Sequence, residues 1–269
     1  MKYDPIKRSL GVVFNKNPFL RKLFYRLLDL LLLRTWHIKK AVRVWKANYK
    51  NSASILDAGS GFGQYTYYLS KQSKSWKILG VDVKEEQIAD CNNFFTQIRR
   101  NEQVKFEYAD LTEFIKPQGY DLILSVDVME HILEDVIVFK NFHQSLKENG
   151  MILISTPSDQ GGSDVHDEDD HSFIDEHVRD GYNIIEIEDK LKSVGFSNVE
   201  AKYSYGAPGK ISWKLSMKYP ILMINVSKLF FIFLPIYYII VYPFAFLLNY
   251  FDVNRKHKTG TGLIVKAYK

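Results

Sequence analysis

The sequence predicts an α/β protein with a doubly wound, largely parallel sheet. Two observations support this prediction. Apolar runs that suit buried strands alternate along the chain with longer segments that suit helices. The first such run ends in a glycine-rich turn at 57–63, and a segment that can begin a helix follows it. A strand, a glycine turn and a helix start in this order direct backbone N–H groups at a ligand.

The bulk composition agrees with a folded intracellular protein. The 269 residues are enough for one large domain with an insert, and a hydrophobic fraction of 46% is enough for a sizeable core. Cys91 is the only cysteine, which excludes an intramolecular disulfide and fits a reducing compartment. Residues 1–22 are basic and lack the pattern of a signal peptide. We therefore expect a cytoplasmic protein.

The glycine turn narrows the class of ligand. Glycine is needed where φ is positive or where a Cβ would block close approach. The dinucleotide fingerprint is G-x-G-x-x-G, whereas the spacing at 57–63 is D-x-G-x-G-x-G. That spacing resembles motif I of class I S-adenosylmethionine (SAM)-dependent methyltransferases. Taken alone, the turn leaves a dinucleotide, SAM and an unliganded strand–turn–helix open.

Three later strands are each predicted to end near an acid. The second strand ends at Asp82, about twenty residues past the turn, which is the spacing of a ribose-binding carboxylate. The third strand carries Asp110 near its end, and the fourth ends at Asp127. Ligand-type residues at four successive strand ends, in this order, disfavour a dehydrogenase.

With the sequence D-V-M-E-H at 127–131, these strand ends make 55–196 resemble a class I SAM-dependent methyltransferase domain. The nearest resemblance is to the ubiquinone-biosynthesis O-methyltransferases and to the type 11 and type 23 methyltransferases. The resemblance implies SAM as cofactor, a Rossmann-like seven-stranded sheet with an antiparallel seventh strand, and a hydrogen bond from the adenine amino group to Asp110. The cofactor-binding residues that it implies are Asp57, Gly59, Ser60, Gly61, Gly63, Asp82, Val83, Asp110, Leu111 and Asp127.

The chain is predicted to have four regions. Residues 1–50 form a basic, amphipathic helical region, and 51–206 form the SAM-binding core. A hydrophobic, aromatic insert at 207–258 separates the sixth strand from the seventh, which lies within 259–269.

The N-terminal region combines positive charge with an apolar helix face. Residues 1–50 hold thirteen Lys and Arg against only Asp4 and Asp29. A helix over 18–47 would carry a leucine-rich face that several cations interrupt. Such a helix suits the interface of an anionic membrane. A helical cap over the fold is the alternative, and the two are compatible.

The insert contains a stretch at 229–248 without any charged side chain. Both ends of the insert enter neighbouring strands of one sheet, which excludes a single crossing of a membrane. The stretch is too short for two crossings of about 20 residues each. Pro235 and Pro243 are expected to break a straight helix. We therefore predict a re-entrant hairpin or kinked interfacial helices, with a buried dimerisation or lid helix pair as the alternative.

Methylation of an oxygen also requires removal of its proton. His131 and His177 are the predicted catalytic residues, because neutral histidine is the natural base near pH 7. Asp127, Glu130 and His131 resemble the E-x-x-E-H cluster that holds a divalent metal in some of these enzymes, so a metal site stays an alternative to none. His166 and His171 are expected to belong to a solvated acidic lid.

The leading functional hypothesis is a SAM-dependent methyltransferase that acts at an oxygen of a lipophilic acceptor, a lipid or quinone-like molecule. Its partner would be the cytoplasmic face of a membrane, with peripheral or monotopic association. One alternative is a metal-dependent RNA 2′-O-methyltransferase, which explains the basic N-terminus but not the apolar insert. A second is a membrane-associated SAM-binding protein without catalysis. A nucleic-acid partner is not favoured.

Overall fold

A computed structural model describes residues 17–49, 52–161 and 178–269. In it, seven strands form one sheet in the order β3-β2-β1-β4-β5-β7-β6. All neighbours run parallel except β7, which is antiparallel to both β5 and β6. The predicted fold class is confirmed. The strands are β1 (Ser54–Ala58), β2 (Lys77–Asp82), β3 (Val104–Tyr108), β4 (Tyr120–Val126), β5 (Leu146–Pro157), β6 (Ser197–Ser204) and β7 (Gly262–Tyr268).

Helices cover both faces of this sheet. One core, which includes Trp45, Leu69 and Phe95, lies on the face of α2, α3 and α4, and the other core, which includes Phe142 and Leu191, lies under α5 and α6. The helices are α1 (Pro18–Leu31), α2 (Leu33–Asn48), α3 (Gln64–Ser70), α4 (Glu85–Gln97), α5 (Asp135–Ser145), α6 (Ile184–Ser193), α7 (Ala207–Trp213), α8 (Tyr219–Val226) and α9 (Leu234–Asn254).

The N-terminal region is two helices rather than the single one predicted. Leu32 has extended dihedral angles, φ −89° and ψ 109°, and ends α1. Leu32 and its neighbour Leu33 are both buried at the break. The sequence did not predict this break because residues 27–33 contain neither glycine nor proline.

The helix after β4 also ends earlier than predicted. Because a glycine often follows the last turn of a helix, the sequence predicts that this helix ends at Gly150, but α5 ends at Ser145. Leu146 already pairs with Tyr120 of β4 and is fully buried, so 146–150 belong to the sheet. Sheet pairing decides this boundary rather than the glycine.

The insert between β6 and β7 forms a helical hairpin, which we call the hairpin (207–254). A π-helical segment, Lys214–Lys218, joins α7 to α8, and α9 returns towards the sheet. The hydroxyl of Tyr238 donates to the carbonyl of Ser216 at 2.8 Å, and Ser212 Oγ donates to the carbonyl of Ala245 at 3.1 Å. Pro235 lies in the first turn of α9, where it is tolerated, and α9 continues through Pro243. A helix boundary therefore does lie at Pro235, after the 3₁₀ segment Lys228–Ile232, whereas the expected break at Pro243 is absent.

The surface of the hairpin is strongly apolar. By length and composition the helix α9 is long and apolar enough to cross a membrane. Only 11% of its most apolar 18-residue stretch is buried. Within the described residues, 219–236 at the far end carries some of the most exposed apolar side chains. These include Leu222, Val226, Leu229, Phe231, Ile232, Phe233 and Ile236.

The hairpin leaves the sheet at the edge that carries the glycine turn. Gly262, the first residue of β7, pairs with Pro157 at the end of β5 and with Ser204 at the end of β6. The end of β6 and the start of β7 therefore lie at the carboxyl edge of the parallel strands. The base of the hairpin is thus beside the predicted cofactor site.

Candidate functional site

The glycine turn between β1 and α3 has left-handed backbone at each glycine. The φ angles of Gly59, Gly61 and Gly63 are 72°, 49° and 72°, which L-residues rarely adopt. A Cβ at Gly59 would lie 2.2 Å from Val128 Cγ2, whereas a Cβ at Gly61 would meet only Gln87 Oε1 at 3.7 Å. Gly59 is therefore packed against the segment after β4, and Gly61 faces open space where a ligand can approach.

Asp57 lies beneath this turn rather than facing the ligand side. Its buried carboxylate accepts a hydrogen bond from the hydroxyl of Thr66 and another from the Thr66 backbone N–H. Burial raises the pKa of Asp57 to about 6, and the bonds from Thr66 oppose that rise. Asp57 thereby connects the end of β1 to the first turn of α3 and holds the glycine turn between them in place. The hydroxyl of Ser60 is also buried and faces Gly80 of β2, so Ser60 offers a ligand only its backbone.

Asp82 and Val83 lie at the end of β2, facing the turn. One carboxylate oxygen of Asp82 accepts from the N–H of Gly61 at 2.8 Å, and the other accepts from the N–H of Lys84 at 3.0 Å. Val83 is 54% exposed beside it. A carboxylate held by backbone N–H groups, next to an exposed apolar side chain, suits a ribose hydroxyl pair and one face of an aromatic base.

Asp110 and Leu111 follow β3 at the same carboxyl edge of the sheet. The carboxylate of Asp110 is exposed and accepts from the backbone N–H and the hydroxyl of Thr112, which lower the pKa of Asp110. Leu111 is buried, and its carbonyl accepts from Asn141 at 2.9 Å. Asp110 is therefore an ionised acceptor at the site, while Leu111 contributes its backbone and packs into the core.

Asp127 follows β4 with a φ of 53°, and a cation from the N-terminal region meets it. Arg34 Nη1 lies 2.8 Å from Asp127 Oδ2, with about a third of each side chain exposed. The backbone N–H of Arg34 donates to the hydroxyl of Tyr205, the residue after β6, at 3.1 Å. Tyr65 of α3 bonds Thr35 beside them at 3.2 Å. Burial raises the pKa of Tyr65 and of Tyr205, so both remain protonated near neutral pH.

The three residues of the possible metal cluster point in different directions. Glu130 is buried and accepts from Thr156 Oγ1 at 3.1 Å, Asp127 pairs with Arg34, and His131 is exposed. The i, i+3, i+4 spacing of the three residues predicts that they gather at a helix start, but the segment Met129–His131 is a 3₁₀ turn. Within the described part of the chain, no three His, Cys, Asp or Glu side chains gather as metal ligands. The metal alternative at Asp127, Glu130 and His131 is therefore not supported.

Burial also makes Glu130 a poor ligand for a cation. Burial away from water is the main cause that raises the pKa of Glu130 to about 8, and the negative charge of Asp127 is the second cause. Glu130 is thus protonated near neutral pH. His131 stays a predicted catalytic residue at the exposed edge of the site. His177, His166 and His171 lie outside the described residues.

A family model for the Methyltransferase domain matches residues 49–200, more than half of the chain. The chain belongs to this family. The predicted class I SAM-dependent methyltransferase superfamily is confirmed, and the match covers the glycine turn and the ends of β2, β3, β4 and β5.

Two curated relatives share this methyltransferase domain. Phosphoethanolamine N-methyltransferase 1 of Zea mays is 29% identical over 160 residues, which make up 59% of this chain and 31% of that protein. Malonyl-[acyl-carrier protein] O-methyltransferase of Bacillus cereus is 30% identical over 126 residues, 46% of this chain and 45% of that protein. This chain therefore matches less than half of the length of either relative.

Solved structures share the fold at low identity. Phosphoethanolamine N-methyltransferase 2 of Haemonchus contortus, in complex with SAM, superposes with a TM-score of 0.60 at 18% identity, over 91% of this chain and 60% of that chain. A SAM-dependent methyltransferase from Mesorhizobium loti gives 0.52 at 16%, over 84% and 96%. The [4+2]-cyclase SpnF gives 0.58 at 12%, over 88% and 82%, so the fold alone does not decide the chemistry.

The residues of this methyltransferase domain fit SAM. The turn leaves space at Gly61, the carboxylate of Asp82 is held at the turn by the N–H of Gly61, Val83 is exposed, and Asp110 is an ionised acceptor. The cofactor prediction agrees with the family match and with the SAM-bound neighbour.

Four residues of the site region were not predicted as site residues. Arg34 and Tyr205 meet next to Asp127, and Arg21 and Tyr25 of α1 are buried against the glycine turn. Arg21 and Arg34 did interrupt the apolar face of the N-terminal region. A cation on an apolar helix face needs a partner when that face is buried, and this was the available signal.

Proposed function

We propose that this protein transfers the methyl group of SAM to the oxygen of a lipophilic acceptor, a lipid or quinone-like molecule, which it takes from the surface of a membrane. The observation that supports this most is the place of the hairpin. Its base leaves the carboxyl edge between β6 and β7, next to Tyr205. The hydroxyl of Tyr205 accepts a hydrogen bond from the backbone N–H of Arg34, and the guanidinium of Arg34 forms an ion pair with Asp127. The base of the hairpin is therefore two polar contacts away from Asp127.

The described residues supply alignment more than acid–base chemistry. When bound, SAM provides an electrophilic methyl group with a good leaving group, so the protein must mainly hold the acceptor in line with it. Arg34, Tyr65 and Tyr205 form a half-buried wall beside Asp127 that can orient a polar acceptor head. His131 at the exposed edge would take the proton of an oxygen acceptor.

The hairpin suits a membrane for reasons of length and charge. Both its ends return to one edge of the sheet, so it can enter a bilayer only as a loop that does not cross. Arg255, Lys256 and Lys258, just after α9, are exposed cations suited to anionic headgroups. A monotopic association with the cytoplasmic face would bring a lipophilic acceptor to the base of the hairpin.

Methylation of an amine nitrogen is the second candidate. It is favoured by the plant relatives, which are named phosphoethanolamine N-methyltransferases. The metal-dependent RNA 2′-O-methyltransferase loses its support because Asp127, Glu130 and His131 do not converge.

The test is transfer of label from SAM to fractions of a membrane lipid extract in vesicles, with mass analysis of the product. We expect a labelled lipophilic product with the methyl on oxygen. Replacing two exposed hairpin residues, Phe231→Gln with Ile232→Gln, should reduce this transfer about tenfold, because the apolar contact with the bilayer is lost. SAM affinity in solution should not change.

The matched control is Ile137→Gln with Ile185→Gln, which removes two exposed apolar side chains from α5 and α6. This variant should transfer label at the wild-type rate. Label on nitrogen would favour the second candidate. SAM binding without transfer to any fraction would favour the non-catalytic alternative, and equal rates for the hairpin variant and wild type would remove the membrane from the proposal.

A further inference from the structure

The helix α1 exposes an apolar stripe to solvent. Phe19, Leu23, Leu27 and Leu30 are each at least 40% exposed, and their spacing of four, four and three residues places them on one face. A surface helix normally buries such a face. Four large apolar side chains in a row on the outside of a helix indicate a surface that another phase or partner covers.

The inward face of α1 packs on the core and also binds the glycine turn: Tyr25 belongs to the core that includes Trp45, and Phe24 packs against that core. Arg21 Nη2 and the hydroxyl of Tyr25 both donate to the carbonyl of Phe62, within the turn. Arg21 also donates to the carbonyl of Asp90 at 3.1 Å and lies 3.0 Å from Cys91 Sγ, both on α4. The helix is therefore attached to the cofactor turn and to α4 through hydrogen bonds and through packing of Tyr25 on Phe94, and its apolar stripe takes no part in that attachment.

Charge and position indicate a lipid surface as the occupant of the stripe. Lys22 and Arg26 lie along one side of the stripe on α1, and Arg26 is exposed. The preceding sequence adds Lys2, Lys7, Arg8 and Lys16. Cations beside an apolar helix face are the arrangement that binds anionic headgroups and acyl chains together.

The stripe and the hairpin are also neighbours. Trp36 Nε1 donates to the carbonyl of Leu30 at the end of the stripe, at 3.3 Å. The ring of Trp36 meets that of Phe246 on α9 with centroids 4.9 Å apart. The two apolar surfaces thus meet at Trp36, and one membrane plane can contact both.

We infer that α1 is a second membrane-binding element and that its binding to anionic lipid strengthens the binding of SAM. Membrane contact would hold α1 in place, and α1 in turn holds the carbonyl of Phe62 through Arg21 and Tyr25. Coupling of this kind is reciprocal, so SAM would strengthen membrane binding by the same factor. The inference rests on the proposed function for its membrane and its cofactor.

The test uses the full chain, SAM, and vesicles of phosphatidylcholine with or without phosphatidylglycerol. The dissociation constant of SAM for the wild type should fall several-fold when anionic vesicles are added. The variant Leu23→Gln with Leu27→Gln should bind SAM normally without vesicles, bind vesicles about tenfold more weakly, and lose the vesicle effect on SAM. Ile137→Gln with Ile185→Gln, on the other side of the sheet, should behave as wild type.

The outcomes separate this inference from the proposed function. If the stripe variant binds vesicles as the wild type does while Phe231→Gln with Ile232→Gln fails to bind, the inference falls and the membrane function stands. If the wild type binds no vesicles, both fall. A wild type that binds vesicles without any change in SAM affinity contradicts the coupling. A dimer that the stripe variant cannot form, without vesicle binding, would assign the stripe to a second copy instead.

A label on the stripe gives an independent measurement. The native Cys91 is fully buried, and burial raises its pKa to about 12, so it reacts poorly with thiol reagents. An environment-sensitive dye on Leu27→Cys should therefore report that position alone. Its emission should shift to the blue with anionic vesicles, whereas the same dye on Ile137→Cys should not respond. An unresponsive dye at position 27 would overturn the inference.

Discussion

Among single residues, the buried acid Glu130 links the stability of the site region to pH. It is only 1% exposed, and its one side-chain partner among the described residues is the hydroxyl of Thr156. Its pKa in the fold, about 8, lies above the ordinary value of 4.5 that it has when unfolded. Its contribution to stability is therefore complete below pH 4.5 and is lost as the pH rises through about 8.

This sign predicts the behaviour of Glu130→Gln. The wild type should lose more than about 1 kcal/mol of unfolding free energy between pH 6.5 and pH 8.5, because the buried carboxyl must ionise. The variant keeps a side chain that can bond Thr156 and should not show this loss. Urea unfolding at a series of pH values measures this loss. The pH range begins above the pKa of Asp57, about 6, so that Asp57 is already mostly ionised throughout it. Parallel pH profiles for the two proteins would contradict the assignment.

Among the elements, the glycine turn is fixed by packing across the sheet edge. Gly59 meets Val128 from the segment after β4, so the β1–α3 turn and the site residue Asp127 are positioned together. Gly61 has the same left-handed backbone without such a contact. Substitutions at these two glycines therefore separate the cost of a positive φ from the cost of a steric clash at the new Cβ.

The comparison of Gly59→Ala with Gly61→Ala tests this. Gly61→Ala should cost about 1–2 kcal/mol of stability from its positive φ alone. Gly59→Ala should cost at least about 3 kcal/mol, since its Cβ would also collide with Val128. Adding Val128→Ala to Gly59→Ala should restore about 1 kcal/mol, measured in a double-mutant cycle by urea unfolding. Simple additivity would show that Val128 does not limit this position.

In the whole molecule, Asp252 connects three parts of the chain at the base of the hairpin. It is fully buried at the end of α9, and its carboxylate accepts from His37 of α2 at 2.8 Å. It also accepts from the backbone N–H groups of Tyr205 at 3.2 Å and of Gly209 at 3.1 Å. One side chain thus joins the N-terminal region, the end of β6 and both ends of the hairpin.

Asp252→Asn should accordingly lower the stability of the whole protein. An amide has one acceptor oxygen instead of two, so at least one buried N–H would lose its partner, at a cost of about 2 kcal/mol. Asp189→Asn on α6, where the side chain is 69% exposed, should change stability by less than about 0.5 kcal/mol. Thermal and urea unfolding compare the two, and equal stabilities would contradict the role of Asp252.

The parts of this structure that the sequence predicted are those governed by local pattern. The apolar runs, the glycine spacing and the acids Asp82, Asp110 and Asp127 are contiguous features whose consequences follow from strand and turn geometry. Arg34 and Asp252 escaped prediction because their partners lie far away in sequence: Asp127 for Arg34, and His37 for Asp252. The interpretation of 127–131 as a cluster failed because Glu130 is buried towards β5.

The position of β7 in the sheet has a consequence for the order of folding. Among the seven strands of the sheet it comes last in sequence, yet it lies between β5 and β6 and, within the described residues, supplies all of the sheet pairing of β6. When β6 leaves the ribosome, its partner among the described strands has not yet been synthesised. The first five strands can assemble beforehand, whereas the hairpin must wait for residues 262–268 before its two ends are brought together. For that interval during translation, we expect its exposed aromatic surface to be prone to aggregation.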